Sequence, residues 1–290
     1  MDDNFFTQSL KDHTILWLFI TSIVGGIIGA AIKILSDNII SQNIALNRQA
    51  KEHFNEYSFK LLKAAKTLDK RLDFIIQDKK IFAYEDVNSR LSFYYALGNY
   101  FGWCKIIQEE AIDKFRRLPR TVKKFNITFL QTLKGLSSNY YFAGVSTIEE
   151  IMKRNAVIPN YCHTAISDLM LSNLETNKTI IKSPVLSFSD FCEKYNSNED
   201  LRLWFDYFEK LIKNIEFEKN NLNWNRLLVI SLNIKVLISQ IDKGNKFTAP
   251  YSNLPHLKLF KSEVLEKVKD DLKFLRVKKI LLPKAFNYNN

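Results

Sequence analysis

Glycine, proline and cysteine are scarce in this chain, numbering eight, six and three among 290 residues. Few breakers leave long helices uninterrupted: no glycine lies between Gly29 and Gly98, and no proline precedes Pro119. The cysteines, Cys104, Cys162 and Cys192, are far apart, odd in number and set in apolar or helical surroundings. That excludes a disulfide framework and fits reduced structural thiols. Also missing are G-x-x-x-x-G-K-[ST], G-x-G-x-x-G, C-x-x-C, H-E-x-x-H and G-x-S-x-G, so phosphate loops, zinc clusters and nucleophile elbows have no support. The histidines His13, His53, His163 and His256 are dispersed, and neither a metal nor a cofactor is expected.

The most informative absence is that of charge. From Thr14 to Ile32 the sequence reads TILWLFITSIVGGIIGAAI, nineteen residues with no charge, proline or side-chain amide. A helix of that length reaches about 29 Å, close to the roughly 30 Å hydrocarbon core of a bilayer. Trp17 near one end and Lys33 at the other suit the two headgroup levels. A cleavable signal fits poorly, because the preceding MDDNFFTQSLKDH is acidic and the run is longer than 15 residues; a buried core helix would carry some polar residue. The stretch 14–33 is therefore expected to be a single transmembrane helix. It would follow a short extracytoplasmic tail, 1–13, and precede a cytoplasmic all-α domain, 34–290.

The net charge is +11; residues 1–13 hold three Asp and one Lys, a charge of −2, so the remainder carries +13. Lys33, Arg48 and Lys51 after the span against Lys11 before it favour a cytoplasmic location for the large part. The expected place is a bacterial inner membrane, crossed once.

Helical periodicity dominates the rest of the chain. Phe54, Ser58, Leu61, Ala65, Leu68, Leu72 and Ile75 alternate at spacings of four and three, the seam of a bundle helix or of a coiled coil between subunits. Asp86 is placed to cap a helix over Val87 to Leu118, in which Gly98 and Gly102 predict a close helix crossing. Further helices are expected over Thr121 to Lys134, Ser146 to Arg154 with a Ser146–Glu149 capping box, and Tyr161 to Leu174. Leu201 to Ile215, Leu227 to Ile241 closed by Gly244, and a basic His256 to Leu282 complete the set. The fold class predicted is all-α, one N-terminal transmembrane helix followed by a helical bundle.

The pieces LLKAAKTLDKRLDFII, FYYALGNYFGWCKIIQEE, GVSTIEEIM, WFDYFEKLIKNI and NRLLVISLNIKVLISQID resemble a group of uncharacterised bacterial single-span membrane proteins. There a Gly-Trp pair in an aromatic helix, here Gly102 and Trp103, is followed by an Ile-Gly-Glu-Ile-Met-like run in which this chain has Glu149 for the Gly. The resemblance implies an all-α cytoplasmic domain and no particular activity.

Three groups of residues are candidate sites. Lys114, Arg116, Arg117, Arg120, Lys123 and Lys124 form a basic cluster opposed nearby by Asp113 alone. It is either a solvated face or a contact for anionic lipid, with nucleic acid the lesser alternative because Phe115, Phe125 and Phe129 have core spacing. Within the span, Ser22, Gly26 and Ala30 share a face with Gly25 and Gly29 beside it, small residues of the kind that let helices associate in lipid. Arg48 and His53 resemble the Arg-x4-6-His element of helical ribonucleases, the enzymatic alternative. The first expectation is a self-associating, membrane-anchored interaction or effector protein with an unidentified protein partner, of the sort used in stress or phage defence.

Overall fold

The structure, a computed structural model, describes residues 3–36, 41–79, 86–115, 118–154, 156–171, 183–242 and 255–275. Among them the backbone is helical, with no strand beyond one antiparallel bridge between Leu171 and Val185. The chain is thus all-α, as its periodicity predicts.

Helix α1 (Asp3–Leu35) contains the apolar run and extends back through most of the stretch expected as a separate tail. Thr21 turns its hydroxyl onto the carbonyls of Trp17 and Leu18, at 2.8 and 3.0 Å, which satisfies it within the helix. Between Trp17 and Leu35 the helix is long and apolar enough to cross a membrane, and none of its residues is buried.

Helix α2 (Ser41–Asp78) is about 57 Å long at 1.5 Å per residue. Its seam residues Phe54, Leu61, Ala65, Leu68, Leu72 and Ile75 are all buried, with Ser58 half-buried at the near end. They face α3 (Val87–Ile107), α4 (Arg120–Ser137), α9 (Leu222–Ile241) and the π-helical turns Gln108–Asp113. The heptad pattern is consumed inside one chain, which is the bundle alternative.

Asp86 caps α3 as expected, accepting from the N–H groups of Asn88 and Ser89. The helix does not continue to Leu118 but widens into π-helix at Gln108. The glycine pair marks a close approach: a Cβ on Gly98 would lie 2.8 Å from Met170 Sδ, and one on Gly102 would lie 3.1 Å from Val185 Cγ1. Met170 ends α6 (Asn160–Met170), so α6 and the bridge after it are what cross there.

Other boundaries shift for local reasons. Ser146 does not cap α5 (Ile148–Lys153), because its N–H still belongs to the preceding turn and bonds to the Phe142 carbonyl. Thr147 caps instead, accepting from Glu150 N–H at 3.2 Å. An unforeseen α7 (Phe188–Ser197), capped by Ser187, precedes α8 (Glu199–Lys213), capped by Asn198. The single helix expected over 256–282 is two pieces, a 3-10 turn at Pro255–Leu259 and α10 (Ser262–Phe274). They meet where Phe260 is buried and the Lys261 N–H donates to Asn225 Oδ1. Gly244 and residues 276–282 lie outside the described residues.

Helix α9 is the axis of the domain, with every residue from Leu222 to Ile238 buried. Helices α2 and α4 flank it, α3 packs on α2, α6 on α3, and α8 on α6. Such a helix has no polar face, so its polar residues must find partners inside the protein.

Candidate functional site

Those polar residues are the first feature that the sequence left unassigned. Arg226 is fully buried and meets no carboxylate; Nε donates to Ala156 O at 2.7 Å, Nη1 to Gly135 O at 2.5 Å and Nη2 to Ser138 O at 2.7 Å. Gly135 and Ser138 lie at the end of α4, where carbonyls lack intrahelical partners and the helix dipole favours a cation. The guanidinium carbon also lies 4.6 Å from the Phe142 ring centre. Burial pushes its pKa down to about 9, which still leaves it charged at neutral pH. Arg226 is a C-terminal cap supplied by another helix.

Lys235, one α9 residue that breaks the apolar run, donates to Asp69 Oδ1 at 2.6 Å and to both oxygens of Asp73 at 2.8 Å. At the start of α9, Asn221, Asn223 and Asn225 bond to the backbone of the surrounding loops: Asn223 Nδ2 reaches Arg154 O and Leu211 O, and Asn225 Nδ2 reaches Lys219 O. Tyr141 donates to Asp271 Oδ2 at 2.6 Å and accepts from Gln131 Nε2, while Lys134 donates to Asp271 Oδ1. Burial and the Asp271 charge push the Tyr141 phenol up. These groups pin α10, α2 and the loops to α9 and α4. Each is held by the fold, which makes it architecture rather than an open reaction centre.

The basic cluster divides. Lys114 pairs with Glu110, and Arg116 and Arg117 lie outside the described residues. Arg120, Lys123 and Lys124 occupy the first turns of α4, a helix whose N-cap, Pro119, offers no side-chain acceptor and whose first turn has no acid. With Thr121 and Ile127 they line one wall of a groove of about 730 Å3, and Phe274 and Leu275 at the end of α10 form the other. Phe125 and Phe129 are buried and stack on each other with centres 6.1 Å apart, and Phe115 lies beside the His53 ring. The aromatics that a nucleic-acid site would use for stacking are therefore engaged within the protein.

Family models, curated proteins and solved structures give no match to this chain.

Arg48 and His53 do not converge. Five residues apart on α2, they are separated by about 140° around the helix. Arg48 is exposed and paired with Glu52 at 2.8 Å, which raises its pKa through that hydrogen bond. His53 is half-buried against Phe115. Among the described residues no group of three His, Cys, Asp or Glu is arranged to hold a metal ion.

Ser22, Gly25, Gly26, Gly29 and Ala30 are all exposed on α1, and a Cβ added at any of the three glycines would meet nothing within 4 Å. Cys104 and Cys162 are buried free thiols; desolvation pushes the first well above the ordinary range and the second up to about 12. Both are correspondingly unreactive.

Proposed function

We propose that this protein is a single-pass, membrane-anchored helical bundle that self-associates through its span and works by binding rather than by catalysis. The observation that carries the reading is a contrast of burial. Helices α2 to α10 direct their apolar stripes inward, whereas Trp17, Ile27 and Ile32 are each more than 60 % exposed on a helix whose apolar stretch is nowhere buried. Left in water, nineteen such residues would be a large aggregation-prone surface; in lipid they need no partner. Lys33, Arg48 and Lys51 after the apolar run, against Lys11 before it, favour an N-terminus outside and the bundle in the cytoplasm. The open small-residue face supports association of two such spans. A binding role is supported by the engagement of the buried cations with fixed partners, which leaves the basic groove as the chemically distinctive surface.

Alkaline carbonate extraction tests the anchor, and a reporter fused after Asn290 tests the topology. Retention in the pellet with a cytoplasmic reporter is expected. Release by carbonate, or an extracytoplasmic reporter, sinks the reading.

A further inference from the structure

The direction of the helices gives the basic groove an address. α2 starts six residues after the last residue of α1, a distance of at most about 20 Å of extended chain, so its beginning is the end of the bundle nearest the span. α9 runs antiparallel to α2: Asp69 and Asp73 meet Lys235, while Phe54 and Ser58 adjoin Gln240 and Ile241. α4 runs antiparallel to α9 in turn. Its Gly135 meets Val229, and its Thr128 donates to Gln240. Two reversals bring the N-terminus of α4 back to the early part of α2. Arg120, Lys123 and Lys124 thus belong to the end of the domain that the anchor holds toward the bilayer.

The opposite wall of the groove has a side chain that its helix does not use. In α10, Val268 and Leu272 are buried, and Leu275 beyond its end is 4 % exposed, whereas Phe274 is 68 % exposed. An outward Phe beside three cations, on the end nearest a membrane, combines the two features of an interfacial lipid contact: charge for phosphate and an aromatic ring for the headgroup–acyl boundary.

We propose that this end of the bundle docks flat on an anionic leaflet, with Arg120, Lys123 and Lys124 on lipid phosphates and Phe274 inserted between headgroups. Docking would fix the orientation of the domain relative to its own membrane. It rests on the anchor proposed above, which a separate readout checks.

A nitroxide at Phe274→Cys, in a Cys192→Ser background of the full chain, reports depth by its collisions with oxygen and with a water-soluble nickel chelate. The chain is reconstituted in nanodiscs of phosphatidylcholine alone or of phosphatidylcholine with phosphatidylglycerol. In the anionic discs the label should be shielded from nickel and open to oxygen, and in the neutral discs the reverse. Arg120→Gln/Lys123→Gln/Lys124→Gln should shift the docked-to-free ratio by on the order of 100-fold, since each basic residue near an anionic surface contributes about a fivefold factor. The double variant at the exposed Arg120 and Lys123 repeats the comparison without touching Lys124. A label at Leu203, exposed on α8, should not respond to lipid charge.

Equal nickel access in both discs overturns the proposal. So does shielding by an added RNA oligonucleotide in place of phosphatidylglycerol, or spin–spin broadening that marks a second copy in the groove. If the chain fails to co-elute with the discs, it is the anchor that has failed.

Discussion

Lys235 Nζ lies 2.6 Å from Asp69 Oδ1, with the lysine side chain 2 % exposed and the aspartate 7 %. The pair joins α9, the axis of the bundle, to α2, and Asp73 closes it from the solvent side. A buried ion pair of this kind stabilises little compared with an apolar replacement of both partners, but breaking it strands a charge. Lys235→Met should therefore cost about 3 to 5 kcal/mol, while Lys235→Met combined with Asp69→Leu should recover a large part. Chemical denaturation followed by far-UV circular dichroism measures both. A single variant as stable as the parent would show that the pair contributes nothing to the joint between α9 and α2.

Arg226 makes a different demand, because its partners are three carbonyls in fixed positions. Arg226→Met leaves them buried without donors, a loss of about 3 kcal/mol or more. Arg226→Lys should rescue only partly, since one ammonium cannot reproduce a planar fork. Full rescue by lysine in the same melt would show that charge alone holds the end of α4.

Two helical glycines should respond differently to alanine. At Gly98 the new Cβ meets the thioether of Met170, a flexible chain, and the helix gains up to about 1 kcal/mol of propensity; the net change should be small. At Gly135 it would lie 2.5 Å from Asn233 Nδ2 and 3.2 Å from Val229 Cγ1, on a buried stretch of the neighbour helix. Gly135→Ala should lose about 1 to 3 kcal/mol. Equal melting midpoints for the two variants would contradict the tight α4–α9 contact.

His163, whose ring centre lies 6.0 Å from that of Phe101, has its pKa lowered by burial. The unfolded chain then takes up the proton first, with a pKa near 6.5. Stability contributed by the neutral ring is complete above that value and declines as pH falls through it. His163→Gln should flatten the slope of the denaturation midpoint below about pH 6.5; an unchanged slope assigns the acid sensitivity to other groups.

For the span, Gly26→Ile and Gly29→Ile should reduce crosslinked oligomer in detergent without releasing the chain from membranes, because isoleucine blocks close approach yet is more apolar than glycine. The heptad of α2 offers no second route to the same oligomer, since Leu61, Ala65 and Leu68 are fully buried within one chain. Undiminished crosslinking places the association outside the glycine face.

The sequence by itself determined the helical class, the apolar run and the heptad seam, because each is a periodicity written within a few turns of one helix. It also marked the Gly98–Gly102 approach and the Asp86 cap, both local signals. The end of α3, the start of α5 and the break between Leu259 and Ser262 were decided by tertiary contacts and local turns: a π-helical widening, a turn bond to Phe142 and a backbone donor drawn to Asn225. Lys235 was visible only as an interruption of an apolar stretch, and Arg226 only as a charge just before it. Their partners lie 162 to 166 and 70 to 91 residues away in sequence, a separation no local pattern encodes. The basic cluster was legible as charge; the place of Arg120, Lys123 and Lys124 across a groove from Phe274, and beside the early part of α2, came from two antiparallel packings that only the folded chain fixes.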